Sequence, residues 1–254
     1  MDFSSFDLSA LLPFIGVGFA AQLVDGALGM AFGVISNTLL VGVLGVPPAL
    51  ASQRVHLVEC FTTATSGISH LLHGNVDKRL FFRLLIPGVT GGVLGAYVLT
   101  SLDAAVVKPF VLLYLSGIGI YLLYKGFAHE HEHREARHIA PLGLFGGFLD
   151  AAGGGGWGPV VTSNLLIQGA DPRKVVGTVN AVEFFLTIAV SAAFIWHLGF
   201  ADLAGATLGL LIGGLLAAPF GAWAAKHFNP KTMLVLVGVV LTATSLYGVY
   251  RAWL

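Results

Sequence analysis

The chain has 254 residues, of which 56% are hydrophobic and only 10% are charged, and its mean hydropathy is +0.85. Soluble domains carry about 25% charged residues, so this composition excludes an ordinary soluble protein and predicts a membrane protein. The formal net charge is zero and there is one cysteine, Cys60, so nothing attracts nucleic acid and no intrachain disulfide or multi-cysteine metal site can form.

The apolar sequence divides into eight blocks, two of which are too long for one crossing. In chain order they cover about 8–46, 49–72, 80–101, 104–125, 140–169, 174–197, 201–226 and 231–253. A helix that crosses the membrane needs about 20 residues. The first and fifth blocks are longer and interrupted by glycine, so each is either one crossing with loose ends or two arms that enter and return. We expect the first segment to be retained, because no Lys or Arg precedes it as in a cleaved signal peptide.

The two halves of the chain repeat each other. Gly18–Gly33 (GFAAQLVDGALGMAFG) matches Gly143–Gly158 (GLFGGFLDAAGGGGWG), so Asp25 corresponds to Asp150 at an offset of 125 residues. Matches at offsets of 124 to 126 also join Pro48 to Pro172, Glu59 to Glu183, Tyr121 to Tyr247, Tyr124 to Tyr250 and Lys125 to Arg251. Interrupted, polar segments in matching positions of a duplicated membrane protein indicate a transporter with its site where the repeats meet.

The positions of Lys and Arg indicate how the two long blocks run. If both return to the side where they began, ten basic residues share one side of the membrane, and Arg54, Lys108 and Arg251 lie on the other. If each block crosses once, the division is seven to six. The positive-inside rule favours the first arrangement, with both termini outside and the two halves in opposite orientations.

The predicted fold class is therefore an all-α polytopic membrane protein with two inverted-topology repeats, each a glycine-broken helical hairpin plus three transmembrane helices. The first repeat covers 1–128, a cytoplasmic His/Glu/Arg linker 129–140, and the second repeat 141–254. The run His129–His133 and His138 resemble a metal site, but this composition in a solvated loop favours a charged, disordered linker. His70 and His73 lie at a predicted helix end, where capping is the expected role.

Asp25 and Asp150 lie at membrane depth, where an ionised carboxylate costs several kcal/mol unless it is paired or hydrated. One interpretation is a pair at the hairpin tips that takes up protons or gates substrate. The other is helix capping, in which each carboxylate accepts N–H bonds at the start of the second arm. The two roles are compatible, and both stay open.

The glycine run Gly153–Gly156, followed by Trp157–Pro159, cannot continue a stable helix. Irregular backbone at membrane depth must be buried in protein or line a wet cavity. Free N–H groups at such a break, and the positive end of the next helix, suit an anion, whereas close helix packing at glycine is the structural alternative. We expect anion binding at both breaks, through Gly26, Gly29, Gly33, Gly153, Gly154, Gly155 and Gly156.

The second block of each half carries a polar stripe at helical spacing. The two stripes are Glu59, Thr63, Ser66 and His70, and Asn180, Glu183, Thr187 and Ser191. Glutamate inside a membrane normally faces the bundle interior and marks a relay, so Asp25, Asp150, Glu59 and Glu183 are the predicted proton-coupling residues. For the hydroxyl groups, hydrogen bonding between helices is the simpler role.

Further polar side chains complete the predicted substrate-binding set: Asn37, Gln53, Arg54, His56, Thr178 and Asn180. The guanidinium of Arg54 suits a bidentate sulfonate or carboxylate, but pairing with Glu59 or with a lipid phosphate is equally compatible with its position. We expect no catalytic residue, no metal and no cofactor. The expected partners are a small anion and the lipid bilayer, and the sequence leaves a homodimer open.

These motifs resemble the TauE/SafE sulfite exporter family of membrane permeases. The resemblance spans about residues 10–252 and rests on the Gly-rich Asp segments, on the HGNVD turn His73–Asp77, and on GTVNAVEFF, Gly177–Phe185. It implies transport of sulfur-containing anions, such as sulfite or sulfonates, across a bacterial cytoplasmic membrane, driven by the proton gradient. Many members have small and hydroxyl residues where this chain has Ser52–His56, and Glu59 and Glu183 are not expected throughout the family, so the resemblance leaves the exact substrate open.

The intramembrane carboxyl groups are also compatible with two other functions. A divalent-cation permease would use the four carboxylates as ligands, since hard cations need several oxygen donors. An intramembrane aspartyl protease would share a proton between Asp25 and Asp150, but neither residue lies in a GxGD motif. We therefore expect a transporter that is not an enzyme.

Overall fold

The computed structural model describes residues 8–28, 30–127, 137–168, 170–200, 203–227 and 230–253. Helices account for almost all of these residues, and no strand occurs among them. The helices are α1 Leu8–Leu28, α2 Phe32–Asn37, α3 Pro48–Leu72, α4 Lys78–Ser101, α5 Ala104–Phe127, α6 Ile139–Gly153, α7 Ser163–Ile167, α8 Pro172–Leu198, α9 Leu203–His227 and α10 Pro230–Trp253. The π-helical turns Thr38–Val43 and Trp157–Thr162 follow α2 and precede α7.

The helices have the length and surface of a membrane protein, as the sequence predicts. Among the described residues, Lys78–Ser101, Ala104–Phe127 and Lys174–Leu198 are long and apolar enough to cross a membrane. Large apolar side chains face outward, and Trp196 is 87% exposed and Phe127 74% exposed. Such a surface is unfavourable in water and suits contact with lipid.

The chain connections distinguish two ends of the helical bundle. At the end that carries Phe127, called the linker end here, Lys174 at the start of α8 donates to the carbonyl oxygen of Gly74, which follows α3 (2.7 Å). At the opposite end, called the distal end, the rings of Tyr97 in α4 and His197 in α8 have centroids 5.6 Å apart.

Both long apolar blocks are interrupted near their middle. The first passes from α1 through residues 29–31 into α2, and the second from α6 through residues 154–156 into the second π-helical turn. Gly154 and Gly155 have φ values of +80° and +130°, which L side chains rarely adopt, so the glycine run ends α6 here. The predicted breaks therefore occur at the glycine-rich positions.

The second block ends beside its start. The backbone N–H of Arg137, just before α6, donates to the side-chain oxygen of Gln168, just after α7. Along the returning arm, Lys125 near the linker end of α5 donates to the hydroxyl of Ser163 (2.7 Å). These contacts place both ends of this block at the linker end.

Both ends of the first block lie near the turn between α8 and α9. Leu11 in α1 packs beside Gly205 at the start of α9. At the start of α3, directly after the block, the side-chain amide of Gln53 donates to the carbonyl oxygen of Gly199 (3.0 Å). The first block thus begins and ends at the distal end.

Each interrupted segment packs against a helix from the other half. α6 runs along α4, and α1 runs along α9, in both cases in the same direction. A Cβ at Gly147 would collide with the carbonyl oxygen of Gly88, and one at Gly213 with that of Ile15. Glycine permits this backbone approach, which is the usual way that helices associate tightly in lipid.

Helices that correspond in the sequence repeat pack in opposite directions. In the α3–α8 pair, Gly67 contacts Ala181, while Cys60 lies 3.6 Å from Ser191 between their side-chain S and O atoms. In the α5–α10 pair, residue numbers also rise on one helix as they fall on the other. The corresponding helices are therefore antiparallel.

Candidate functional site

The two helix breaks meet inside the protein. Gly155 packs against Gly33 and Val34, and Gly158 packs against Met30. Beside this contact is a cavity of about 240 Å³. Residues of α1, α3, α6 and α8 and of both breaks line it: Gln22, Asp25, Met30, Ala31, Phe32, Gly33, Val34, Glu59, Thr62, Thr63, Ser66, His70, Asp150, Gly156, Gly158, Pro159, Val176, Asn180 and Glu183.

The cavity extends from the breaks toward the linker end. Its lining reaches partly exposed Ser66 and His70 near the end of α3, and Val176 near the start of α8. On its distal side, Asp150 is hydrogen-bonded to His56, and the neighbouring Ser52 is hydrogen-bonded to Ala151; these bonds are buried. The cavity therefore approaches solvent toward the linker end, whereas the hydrogen bonds on its distal side are buried.

All four predicted proton-coupling residues line this cavity: Asp25, Glu59, Asp150 and Glu183. They come from four different helices, and only the folded chain brings them together. Glu59 is 5% exposed, and its carboxylate lies against Gly33 of the first break. Four carboxyl groups around one small cavity are costly in a membrane unless they are protonated, paired or hydrated.

Asp150 is held by two sets of hydrogen bonds. Its Oδ1 accepts from the backbone N–H groups of Gly156 (2.8 Å) and Trp157 (3.0 Å), which caps the second arm. Its Oδ2 lies 3.1 Å from Nε2 of His56. Asp150 is 4% exposed and His56 1% exposed, so this contact is shielded from water.

The hydrogen-bond partners of His56 determine how many protons lie between His56 and Asp150. His56 Nδ1 lies 2.8 Å from the carbonyl oxygen of Ser52, which only accepts, so Nδ1 carries a hydrogen. A hydrogen bond between Nε2 and Asp150 then needs one proton between them, on the imidazole or on the carboxyl group. The hydroxyl of Ser52 donates to the carbonyl oxygen of Ala151 (2.9 Å), which further joins α3 to α6.

Asp25 caps its own break in the same way. Its Oδ1 accepts from the backbone N–H of Phe32 (3.2 Å), seven residues ahead, as Asp150 does from Trp157. Asp25 is only partly buried. The capping role is thus present in both halves, and each capping carboxylate also lines the cavity.

The N–H groups of the second glycine run are bonded within the chain. Those of Gly154 and Gly155 donate to the carbonyl oxygen of Asp150 (3.1 and 2.8 Å), and that of Gly156 donates to its carboxylate. In this arrangement these N–H groups are already hydrogen-bonded and do not bind a ligand.

The predicted substrate-binding residues divide between the cavity and its surroundings. Gly33, Gly156 and Asn180 line the cavity. Outside its lining are Asn37, Gln53, His56, Gly153, Gly154, Gly155 and Thr178. The side-chain amide of Asn37 donates to the carbonyl oxygen of Gly33, and the hydroxyl of Thr178 accepts from the N–H of Asp77. Arg54 is partly buried on α3 outside the lining, and Gly26 follows Asp25 in α1. Gly29 and the run His129–His133 lie outside the described residues.

The sequence did not indicate several supporting residues. Gln22, Met30, Phe32 and Pro159 line the cavity, and the hydroxyl of Tyr114 donates to the carbonyl oxygen of Gly155 (2.9 Å). Met30, Phe32 and Pro159 look like ordinary membrane core beside a glycine run, and Tyr114 lies within an apolar helix, so no local signal distinguishes these four. Gln22 is a polar side chain in an apolar segment, and this signal could have found it.

The residues that the structure describes contain no group of three or more His, Cys, Asp or Glu side chains arranged to hold a metal ion.

An all-α membrane protein with two interrupted segments that meet at a polar cavity has the architecture of a membrane transporter. Comparison with known protein families identifies the transporter family. Residues 14–248 match the model of the family described as sulfite exporter TauE/SafE, and the chain belongs to this family. The predicted family membership is thereby confirmed, and the family is one of transporters.

Two curated relatives agree with this assignment. The chain is 42% identical to the probable membrane transporter protein YtnM of Bacillus subtilis (strain 168) over 97% of this chain and 85% of the relative. It is 25% identical to a probable membrane transporter protein of Haemophilus influenzae (strain ATCC 51907 / DSM 11121 / KW20 / Rd), over 95% of each chain. No solved structure matches the chain.

Proposed function

We propose that this protein is a proton-coupled secondary transporter of small sulfur-containing anions, such as sulfite or organosulfonates. It works by alternating access in the bacterial cytoplasmic membrane. The observation that carries the proposal is the convergence of four carboxyl groups on one cavity between two helix breaks. The substrate class comes from the family description, which names sulfite.

The proposal includes two halves of opposite orientation. The antiparallel pairing of α3 with α8 and of α5 with α10 supports it, as do the ends of the two long blocks, which lie at opposite ends of the bundle. With the linker end in the cytoplasm, both termini face outside. Inverted repeats let one arrangement convert to its counterpart by exchanging the conformations of the halves.

The acidic lining couples an anion to protons. An ionised carboxylate repels an anion, whereas a protonated carboxyl group donates an O–H hydrogen bond to an oxyanion. Asp25, Glu59 and Glu183 therefore admit the anion when protonated and expel it when they ionise. Anion and protons then occupy the cavity together, so that a pH gradient drives the movement of the anion.

Transport in liposomes with an imposed pH gradient tests the proposal. We expect the purified protein to carry sulfite or a small sulfonate and to dissipate the pH gradient as it does so. D25N, E59Q and E183Q should lower this flux by about tenfold or more, because the amide still donates a hydrogen bond to the anion but cannot ionise to release it. The matched control is D103N, because Asp103 also caps a helix, through the N–H of Ala105, but is exposed at the α4–α5 turn.

A thermal-shift screen separates this proposal from its alternative. Sulfite, sulfonates, carboxylates and divalent metals would each be added to the purified protein. Stabilisation by a sulfur oxyanion supports the proposal, since a ligand that binds only the folded state raises the melting temperature. Stabilisation by divalent metals alone would instead favour a cation permease.

A further inference from the structure

Asp150 and His56 form a closed contact whose counterpart in the other half is open. At the repeat offsets of 125 and 124, Asp150 corresponds to Asp25 and His56 to Asn180. His56 Nε2 lies 3.1 Å from Asp150, deep in the protein. Asp25 and Asn180 both line the cavity and are both partly exposed, and no hydrogen bond between these two described residues is formed.

The two pairs are built alike on their own helices. Nδ1 of His56 is hydrogen-bonded to the carbonyl oxygen of Ser52, four residues earlier (2.8 Å), and Nδ2 of Asn180 donates to that of Val176, also four residues earlier (2.9 Å). Each side chain therefore has the same anchor. His56 keeps its second ring nitrogen, and Asn180 keeps its amide oxygen and second N–H, for the aspartate of the opposite half.

We propose that the His56–Asp150 and Asn180–Asp25 pairs are the two gates of the cavity, distal and linker-side, which close in alternation. The inference rests on the proposed alternating access. In the arrangement described here the distal gate is closed and the linker-side gate is open. In the other, Asn180 bonds Asp25 while His56 leaves Asp150, so that the cavity opens toward the distal end.

Differences between the two halves explain which gate is closed here. The distal gate has an additional hydrogen bond, from the hydroxyl of Ser52 to the carbonyl oxygen of Ala151 (2.9 Å). The residue that corresponds to Ser52 is Val176, which has no hydroxyl. The distal gate can also place charge on both partners, whereas the amide of Asn180 stays neutral, and charge-assisted hydrogen bonds are the stronger kind.

Exchanging the two gate residues tests the inference. The double variant H56N/N180H transfers the imidazole to the linker-side gate and keeps both anchoring carbonyl groups. Asn180 borders the cavity, which has room for the larger ring. H197N is the matched control, because His197 lies at the exposed distal end of α8 away from both gates.

Two cysteine reporters at corresponding positions report which side is open. Thr63 is 6% exposed and lines the cavity, whereas its counterpart Thr187 is 0% exposed and is not part of the lining. T63C and T187C would each be made in a C60S background, which removes the single native cysteine. A membrane-impermeant maleimide would be applied separately to each face of oriented vesicles.

We expect T63C to react from the linker-side face and T187C to be protected in the C60S background and with H197N. In H56N/N180H the ratio of T63C to T187C labelling should fall on the order of tenfold, with T187C now reacting from the distal face. N180H alone, which removes no bond from the distal gate, should lower T63C labelling. Unchanged labelling of both reporters in N180H and in the double variant would overturn the gate assignment.

A negative labelling result and a negative transport result contradict different proposals. If labelling shifts as expected while no sulfur-containing anion is carried, the gates stand and the proposed substrate is wrong. If sulfite is carried but labelling does not respond to the exchange, the transport proposal stands and the gate assignment is wrong.

Discussion

At the scale of single residues, Asp150 has the capping role that the sequence predicted, and the proton-coupling role predicted beside it stays a prediction. One carboxylate oxygen caps the second arm through Gly156 and Trp157, and the other contacts His56. Asp25 repeats the cap with one oxygen. Each of these aspartates holds a helix start and also lines the cavity, so a change of its charge would act on the backbone around the cavity.

The two roles of Asp150 separate in a pair of variants. The amide oxygen of D150N still accepts from Gly156 and Trp157, so we expect its unfolding temperature to stay close to wild type while anion flux falls about tenfold or more. D150A leaves two buried N–H groups without an acceptor and should lose about 2 kcal/mol of stability. Thermal unfolding in detergent and liposome flux measure the two effects. If D150N were as unstable as D150A, the cap would depend on charge.

At the scale of elements, the contact between the two helix breaks holds the site together. Gly155, with φ +130°, lies against the backbone of Val34, and the hydroxyl of Tyr114 bonds its carbonyl oxygen. The breaks come from different halves, so the proposed alternating access requires that their contact be kept or remade when the halves move. Glycine is required here both for its backbone conformation and for this close approach.

An added methyl group tests this contact. We expect G155A to lose about 3 kcal/mol, because its Cβ would meet the backbone N of Val34 and its φ is unfavourable for alanine. G117A is the control: Gly117 lies in α5 with open space around it, and alanine there should be neutral or stabilising by up to about 1 kcal/mol. Thermal unfolding measures both. Equal stability of G155A and G117A would show that the close contact between the two breaks does not contribute to stability.

At the scale of the whole molecule, charge and helix direction agree on one orientation. The linker end carries most of the described basic side chains: Lys78, Arg79, Arg83, Lys125, Arg137, Lys174 and Lys231. The positive-inside rule favours a cytoplasmic position for that end, as in the proposed topology. In that topology the cavity approaches the cytoplasm, and the buried contact between His56 and Asp150 lies on its outer side.

Site-directed labelling tests this orientation. In the C60S background, S101C at the distal end should react with an impermeant maleimide from outside intact cells. H73C at the linker end should react only in inside-out vesicles, because the membrane separates the two positions. Both positions are exposed, so burial does not limit the reaction. Labelling of both cysteines from the same face would contradict the two-ended arrangement.

Local patterns in the sequence were enough for much of the fold. Hydropathy placed the α4 start at residue 80 and the α6 start at 140, where the helices begin at Lys78 and Ile139. The glycine runs predicted both breaks, because glycine neither sustains a helix nor blocks close backbone contact. The repeat also matched Asp25 with Asp150, and both cap the helix that follows.

Only the tertiary structure decided which helices pack together and which polar groups meet. The pairing of α1 with α9 and α6 with α4 depends on complementary surfaces more than 50 residues apart, which hydropathy does not encode. The same holds for the bond between His56 and Asp150, 94 residues apart. Membrane depth, helix ends and breaks follow from the chain's own local composition, whereas the contact between His56 and Asp150 and the cavity beside it exist only because the fold brings distant helices together.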